Sequence, residues 1–289
     1  METFKKREIE AVFRLTSGVF GNGADEVSIK GLRIIANIQC FPKNLTQAHM
    51  QIFGLSQDVI KRLLTLKIRR QGNIVDSNTV TLKYTDNTVH TLFHGGIWSA
   101  IVDYNTMPQV PLIIESLSTL GAQMSVPGGL CFEGVVPVES IMRKLAGLAG
   151  YTLINYGVTT TLENETLNGS VQDMIDRVAR DANIISYVSN NQLIISPHGV
   201  VQNQLPELVV SAETGLVGAP IPGDTYITFM HLFSPEFAPL RMIRMIFPEI
   251  PFIEGNFLIQ ELNHSLDSEQ PGGRWFSQIK AVWLDRANG

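Results

Sequence analysis

The sequence predicts a mainly β protein of the α+β class, in which two β-rich flanks enclose a small α/β module. Three observations support this prediction. Both flanks consist of short apolar runs separated by Gly, Pro and Asn, which is typical of strands joined by turns. Two amphipathic stripes with helical spacing lie between the flanks, and each stripe is followed by an apolar run. We place the boundaries of the three regions at residues 1–125, 126–204 and 205–289.

The central module contains two copies of one helix–strand unit, at a constant offset of 33 residues. In both copies apolar residues recur at i, i+3, i+4 and i+7, the pattern of a helix with one buried face. The first helix is predicted to begin after Pro137 and to end at Gly150. The second is predicted to begin at Ser170, in a sequence typical of a capping box, and to end at Asn183. The predicted strands of the module cover residues 151–156, 184–188 and, after a turn at 190–191, 193–195.

The first flank is predicted to be a β-barrel or sandwich with one helix. The stretch 9–14 has a period of two with one cleaner apolar face, because Ile9, Ala11 and Phe13 alternate with Glu10, Val12 and Arg14. Ser56 and Asp58 are typical of a helix N-terminus, and apolar residues follow them with helical spacing. The later predicted strands cover residues 80–84, 89–93, 97–104 and 110–117.

The second flank is also predicted to be rich in strands, at residues 208–211, 225–232, 241–247, 255–263 and 276–283. Prolines punctuate this region, and a central strand cannot hold them at that density because each one removes a backbone donor. We therefore expect these prolines at strand ends or at sheet edges: Pro220, Pro222, Pro235, Pro239, Pro248 and Pro251.

The composition argues against several classes of function. Of the 289 residues 44% are hydrophobic and only 17% are charged, which is typical of a chain that hides surface against partners. The net charge is −5, so no basic groove for a phosphate backbone is expected. Cys40 and Cys131 are isolated, so we expect neither a disulfide nor a cysteine metal site. We expect no signal peptide, no segment of the ~20 apolar residues that span a bilayer, and synthesis in a bacterial cytoplasm.

The catalytic motifs of the sequence are incomplete. His94-Gly95-Gly96 resembles the oxyanion loop of lipases, but the chain has no G-x-S-x-G elbow, so we interpret this stretch as a turn between two strands. His90 lies near His94 without an acid or Cys to complete a zinc site. The run 262–267 holds a His, a Ser and an Asp in a predicted loop, which is not a triad without geometry. We therefore predict no enzyme and no catalytic, cofactor-binding or metal-binding residues.

Several stretches of the sequence together resemble a known family. The first comprises residues 4–13, the glycines at 18 and 21, and residues 27–32, and the others are 51–56, 213–220 and 264–275. In this order they resemble the baseplate (tail) hub proteins of tailed bacteriophages. The chain departs from the family at Cys40–Leu45, where a glycine-proline-rich turn is usual.

The resemblance implies two tube-like β-barrel domains that flank small α/β domains. It also implies a structural virion protein, located in the virion tail, that assembles as a homotrimeric ring. Such a ring joins the sixfold tail tube to the threefold spike and lets DNA pass without binding it specifically. The expected partners are the tail tube protein and the spike or tail tip protein, with the tape measure protein as a further candidate. The family carries no catalytic residues.

The resemblance and the flanking arrangement lead to two structural expectations. The two flanks should be related units, six per trimer, with the module outside the ring or towards the spike. The inner wall should be neutral to acidic, because a basic wall would hold DNA through counterion release.

Two alternative functions remain open. A peptidoglycan-binding or -degrading tail component is one, with Glu163 and Glu165 as the carboxylates, although glycosidases need two carboxylates that flank a cleft. The hub of a contractile secretion or injection machine is the other, because its mechanical task is the same.

Overall fold

A computed structural model of the protein describes residues 7–41, 45–64, 78–86, 88–198 and 206–284. The strands of the first flank are β1 (Glu8–Arg14), β2 (Glu26–Ile29), β3 (Ile34–Phe41), β4 (Leu45–Phe53), β5 (Thr79–Thr85), β6 (Val89–Val102) and β7 (Pro111–Leu117). Those of the module are β8 (Leu130–Cys131), β9 (Val135–Pro137), β10 (Thr152–Asn155), β11 (Thr161–Glu163), β12 (Thr166–Leu167), β13 (Ile184–Ser189) and β14 (Gln192–Pro197). The second flank has β15 (Leu208–Val210), β16 (Leu216–Pro222), β17 (Tyr226–Leu232), β18 (Met242–Met245), β19 (Gly255–Ser268) and β20 (Trp275–Trp283). The helices are α1 (Gln57–Leu63), α2 (Leu120–Met124), α3 (Val138–Ala149) and α4 (Val171–Asp181), with 3-10 turns at Tyr104–Thr106 and Pro251–Ile253.

The strands of both flanks form one long sheet of 13 strands, which confirms the mainly β prediction. The order is β16-β17-β20-β19-β3-β4-β7-β6-β5-β1-β2. In addition, β19 pairs with β18, and β18 pairs with β15. At the ends of this order, β2 and β16 each pair with one strand of the described part of the chain. The described strands therefore form an open sheet and close no barrel.

The pairing of β19 with β3 joins the two flanks. It runs without a break from Leu262 opposite Cys40 to Ser268 opposite Ile34. The sequence predicted a β-barrel in each flank, whereas the two flanks share one continuous ladder. Strands that are more than 200 residues apart leave no local pattern of their pairing, which is why the sequence did not predict this junction.

The two flanks have the same strand order. Neighbours in the first flank run β3-β4-β7-β6-β5-β1, and those in the second run β16-β17-β20-β19-β18-β15. β6 and β19 are both 14 residues long. The register of β6 against β7 shifts just after Ile97, and the register of β19 against β20 shifts just after Ile259. The N–H of Ile97 donates to the carbonyl of Asn78 at 2.7 Å, and that of Ile259 donates to the carbonyl of Arg241 at 2.9 Å. Ile97 therefore corresponds in position to Ile259.

The duplication is not complete at the far end of each flank. β15 runs parallel to β18, whereas β1 runs antiparallel to β5. On its other side β1 also pairs with β2. In the first flank α1 lies within the connection between β4 and β5, and Ser56 caps it as predicted by accepting from the N–H of Val59. The proline-rich residues 233–241 take the corresponding place in the second flank.

The module contains both predicted helices at the predicted positions. α3 begins after Pro137 and ends at Gly150, which adopts the left-handed conformation with φ 75°. α4 begins with the capping box of Ser170 and Asp173, and the bond from Ser170 lowers the pKa of the Asp173 carboxyl. These signals act within one turn of helix, so the sequence alone locates them.

The strands of the module form a small sheet in the order β10-β14-β13. β13 and β14 are a hairpin around the predicted turn, where Asn190 and Asn191 have φ of 48° and 64°. β10 pairs with β14 in parallel. The helices pack on this sheet and enclose a hydrophobic core that is separate from the cores of the two flanks.

Hydrogen bonds dock the module onto the long sheet. Thr46 on β4 donates from Oγ1 to the carbonyl of Val188 at 3.0 Å, and the hydroxyl of Tyr187 donates to the carbonyl of Pro239 at 3.2 Å. The same small strand therefore contacts both flanks, which fixes the module beside the junction.

The predicted turn at His94-Gly95-Gly96 is wrong, because these residues lie inside β6. A Cβ on Gly95 would lie 2.6 Å from the carbonyl oxygen of Leu117. Glycine at this position lets the backbones of β6 and β7 approach closely. A glycine within a strand can therefore indicate a close contact between backbones and not a turn.

The edge strand β16 was not predicted, but its prolines lie where the sequence placed them. Pro220 and Pro222 are part of this strand, at one edge of the sheet. The N–H of Gly223 donates to the carbonyl of Tyr226 on β17, so the nitrogen of its neighbour Pro222 points to the outer side. An edge tolerates proline because no inner ladder loses a donor.

Candidate functional site

One side of the long sheet carries a band of polar side chains near the junction. Buried apolar residues of β3, β4, β7 and β19 alternate with these polar residues, so the apolar ones face the cores and the polar ones face away. The polar residues line a groove of about 620 Å³ together with Trp98. We define the polar face as Asn37, Gln39, Gln47, His49, Glu115 and Asn263.

Amide hydrogen bonds connect the members of the polar face. Gln47 donates from Nε2 to Oε1 of Gln39 at 2.6 Å. Ser265 on β19 donates from Oγ to Oδ1 of Asn37 on β3 at 3.1 Å, which ties the two flanks across the junction. Side-chain amides present donors and acceptors without a net charge, so this surface can hold water but attracts ions weakly.

Near the junction, two cations on this side of the sheet each lie beside a carboxylate. Lys280 lies 2.9 Å from Glu261, and Arg33 lies 3.5 Å from Asp267. Glu115 belongs to the polar face itself. Because these two cations are each paired with a carboxylate, the described residues at the junction present no concentration of positive charge that would hold a polyanion.

A second surface, at the β16 edge, is apolar and exposed. Four residues of β16 and β17 form this surface, and all four point to the same side of the sheet as the polar face. Val217 of β16 lies directly opposite Met230 of β17. Exposed apolar side chains that are adjacent on a sheet are typical of a surface that another protein covers. We define the apolar edge as Val217, Ile221, Met230 and Leu232.

The two histidines considered for zinc bind different threonines. His94 lies 2.8 Å from Oγ1 of Thr81 through Nδ1, and His90 lies 2.6 Å from Oγ1 of Thr88 through Nε2. Burial lowers the pKa of His94, which favours its neutral form. No group of three or more potential metal ligands occurs among the residues that the structure describes.

The His, Ser and Asp of residues 262–267 lie in β19 and not in a loop. His264 faces the core, 2.8 Å from Oγ of Ser277, and burial lowers its pKa to about 4. Ser265 and Asp267 lie on the opposite side of the strand, where Ser265 donates to Asn37. The three residues therefore do not converge into a triad, because successive side chains of a strand point to opposite faces.

The two carboxylates considered for sugar hydrolysis lie at a tight turn of the module. Glu163 ends β11, Glu165 precedes β12, and Asn164 between them has φ 53°. The N–H of Gly134 donates to Oδ1 of Asn164 at 2.9 Å, which fixes the turn. Two carboxylates on one turn, separated by a single residue, do not flank a cleft as the glycosidase geometry requires.

The two cysteines are both free thiols. Cys40 is buried in β3 at the junction, where burial raises its pKa to about 11, and Cys131 is exposed in β8. Among the described helices, none combines the length and hydropathy of a membrane-crossing segment.

The polar face and the apolar edge were not predicted as functional surfaces from the sequence. Amides alternate with apolar residues in 34–41, and amides and His49 do so in 47–52, and this pattern was the available signal for the polar face. The apolar edge has no comparable local signal, because it depends on which strand ends the sheet.

Comparison with protein families gives one match over most of the chain. Residues 9–272 match the model of the family described as "Baseplate hub gp41". No curated protein matches the sequence.

Comparison with solved structures gives the same fold. The tail protein from Neisseria meningitidis MC58 superposes with a TM-score of 0.64 at 10% identity, over 96% of this chain and 98% of that chain. The 43 kDa tail protein of prophage MuSo2 from Shewanella oneidensis gives a TM-score of 0.63 at 10% identity, over 98% of both chains. The E. coli c3393 protein, a component of the type VI secretion system, gives 0.59 at 8% identity, over 87% of this chain and 73% of that chain. At these identities the likeness shows the fold alone.

Proposed function

Because the chain belongs to the baseplate hub gp41 family, we propose that it is a structural virion protein that forms a homotrimeric ring between the tail tube and the spike. Membership of the family implies a component of the virion tail. The observation that supports the ring most directly is the strand order shared by the two flanks.

The duplicated strand order suits an adaptor between two symmetries. A trimer of chains with two related flanks presents six related units to a sixfold tube. The module occurs once per chain and so presents three copies to a threefold spike. We place the module outside the ring or towards the spike, and we infer that each flank acts as one tube-like unit and closes through contacts in the assembly.

The polar face supports the passage of DNA through the ring. Its amides and its single carboxylate Glu115 leave it neutral to slightly acidic, and the neighbouring Lys280 is paired with Glu261. A wall of this kind does not release counterions from the DNA backbone and therefore does not hold it. We propose that the polar face lines the lumen.

The expected partners follow from this position. The tail tube protein contacts the six flanks, the spike or tail tip protein contacts the threefold end, and the tape measure protein is a further candidate in the lumen. No catalytic role is part of the proposal.

One experiment tests the trimer directly. Light scattering on the purified protein should give three times the 32.0 kDa of the chain, or a shift towards that mass as concentration rises. A monomer at high concentration, and again in the assembled particle, contradicts the proposal.

A second experiment tests the lumen. Gln47→Lys adds a cation to the polar face and should slow DNA ejection from assembled particles, because the lysine attracts phosphates. Val89→Lys is the matched control, since Val89 is exposed outside the polar face. Equal ejection rates for the two variants contradict a lumen at the polar face.

A secretion or injection machine is the second candidate. The similarity of the fold to the E. coli c3393 protein, a component of the type VI secretion system, favours it. Mass spectrometry of purified virions decides between the two, because a virion hub is present in stoichiometric amounts and a secretion hub is absent.

A further inference from the structure

A cavity of about 360 Å³ lies between the first flank and the module, and it shares no residue with the polar face or the apolar edge. Strand β6 and the start of β5 line it from the flank, together with residues of and around α2. The end of α3 and the β13–β14 turn line it from the module. Its volume lies within the range of about 300–1,000 Å³ that is usual for small-molecule sites. We define the seam cavity as Thr79, His94, Gly121, Ser125, Tyr151 and Asn191.

Hydrogen bonds hold the walls of the seam cavity in place. The hydroxyl of Tyr151, in the module, donates to the carbonyl of Ser118, in the first flank, at 3.1 Å. Nδ2 of Asn191 donates to the carbonyl of Gly150 at 2.9 Å, which fixes the hairpin turn against the end of α3. The cavity is therefore formed before a ligand arrives, and binding needs little ordering of the protein.

The lining of the seam cavity is polar but uncharged. Among the described residues that line it, none is Asp, Glu, Lys or Arg, and His94 is neutral because burial lowers its pKa. Thr79 and Ser125 contribute hydroxyls, and Asn191 contributes an amide. An ion would find no opposite charge here, and a wholly apolar ligand would strip these polar groups of water without replacing its hydrogen bonds. The lining therefore favours a neutral ligand with polar groups.

The hydrogen-bonding groups of the cavity suit hydroxyls. Nδ1 of His94 lies 2.8 Å from Oγ1 of Thr81, so Nε2 is the ring nitrogen that is left for a ligand. A ligand hydroxyl both donates and accepts, so it matches Nε2 in either tautomer of the ring. The hydroxyl of Tyr151 spends its hydrogen on Ser118 and retains an acceptor. The ring of Tyr151 and the side chain of Met124 add apolar surface, which matches the C–H face of a sugar ring.

Gly121 leaves open space at the seam cavity. This residue lies in α2, and a Cβ built on it would meet no atom within 4 Å. A larger side chain at this position therefore enters space that a ligand would use. Gly147 in α3 has the same property, and it lies outside the cavity.

We propose that the seam cavity binds a small neutral sugar, whose hydroxyls bond to Nε2 of His94, to Oγ of Ser125 and to the side chain of Asn191. The sugar ring lies against Tyr151. A sugar in this position contacts both the first flank and the module, so it stabilises the docked position of the module. The site lies within one chain and does not depend on the number of copies in the assembly. Free hexoses and the N-acetylated sugars of a bacterial cell wall share this chemistry.

The experiment uses saturation-transfer NMR titrations of the purified full chain with glucose, N-acetylglucosamine and inorganic phosphate. At least one of the two sugars should bind with a Kd on the order of 1 mM, which is usual for so small a ligand, and phosphate should not bind. Binding of N-acetylglucosamine alone identifies the cell-wall sugars as the source. Binding of glucose with equal or higher affinity identifies free hexoses.

Three variants locate the site. Gly121→Leu fills the cavity and should raise the Kd at least about tenfold, because the sugar would overlap the leucine side chain. Gly147→Leu is the matched control, a second glycine-to-leucine change in a helix, and should leave the Kd within about twofold of wild type. Ser125→Ala removes one hydroxyl and should raise the Kd about fivefold. Circular dichroism establishes that the variants fold, and Ser125→Ala decides if Gly121→Leu does not.

Different results overturn different statements. If neither sugar binds at 50-fold above the expected Kd, the inference is wrong. If a sugar binds equally well to wild type, Gly121→Leu and Ser125→Ala, its site lies elsewhere and the inference is again wrong. If phosphate binds and Gly121→Leu abolishes that binding, the cavity takes an anion and the neutral class is wrong. A monomer in light scattering contradicts the trimer of the proposed function and leaves this site unaffected.

Discussion

The two flanks share one strand order but present different surfaces at the same positions. Asn37 on β3 accepts a hydrogen bond from Ser265, because β19 of the same chain covers that edge. Its counterpart Ile221 on β16 is apolar and exposed. The comparison shows that the strand order follows from backbone pairing, whereas the side chains at an edge follow from the neighbour that covers it.

The largest expected difference in stability between the flanks concerns Leu266, a residue of the second flank that packs into the core of the first. Leu266 on β19 is buried in the core of the first flank, and its counterpart Tyr104 is exposed. Leu266→Ala should lower the free energy of unfolding by about 3 kcal/mol, because it leaves a cavity. Tyr104→Ala should change it by less than about 0.5 kcal/mol. Urea unfolding of the two variants at low protein concentration measures both values, and equal losses would contradict the expected contrast between the buried Leu266 and the exposed Tyr104.

The second contrast depends on pH. His264 has a pKa of about 4 in the folded protein because it is buried, and its counterpart Val102 does not titrate. An unfolded histidine has a pKa near 6.5, so the unfolded state takes up the proton first as the pH falls. The stability from His264 is therefore complete above about pH 6.5 and is lost towards pH 4, by up to about 3 kcal/mol.

His264→Gln tests this contrast, because glutamine keeps a polar side chain that does not titrate. The free energy of unfolding should fall less steeply between pH 6.5 and 4.5 in the variant than in wild type. His231, whose pKa burial also lowers, contributes the same slope to both proteins and does not affect the difference. Parallel pH profiles would show that His264 is not the group responsible.

The smallest expected difference concerns an ion pair on the side of the polar face. Lys280 pairs with Glu261 in the second flank, and the corresponding residues of the first flank are Glu115 and Ser99. Glu261→Ser copies the first flank and should cost about 0.5 kcal/mol, because both side chains are partly exposed to water. The loss should shrink at high salt in denaturant titrations, and a salt-independent loss would assign it to packing.

The sequence predicts the module better than the long sheet, for a physical reason. The limits of α3 and α4 depend on Pro137, Gly150 and Ser170, which act on the backbone within a few residues. The partners of β3 are β4, which follows it directly, and β19, which lies more than 200 residues away. The first partner was within reach of sequence reasoning and the second was not.

The functional surfaces show the same limit. The prolines of β16 correctly indicated an edge, because the missing N–H is a property of the residue itself. Gly95 was misinterpreted as a turn, because its cause is the approach of Leu117 from another strand. The amides of β3 and β4 alternate visibly in the sequence, but only the junction with Asn263 and Ser265 assembles them into one face.

The position of β19 near the end of the chain has a consequence for synthesis on the ribosome. β3 is complete when Phe41 has been made, but the strand that covers its outer edge ends at Ser268. At roughly 5–20 residues per second, the nascent chain presents this open edge for about 10 to 45 s. During that interval neighbouring ribosomes on one messenger hold several such edges close together. Folding of the last flank thus competes with pairing between unfinished chains, and a slower 3′ part of the message should lower the yield of the complete protein.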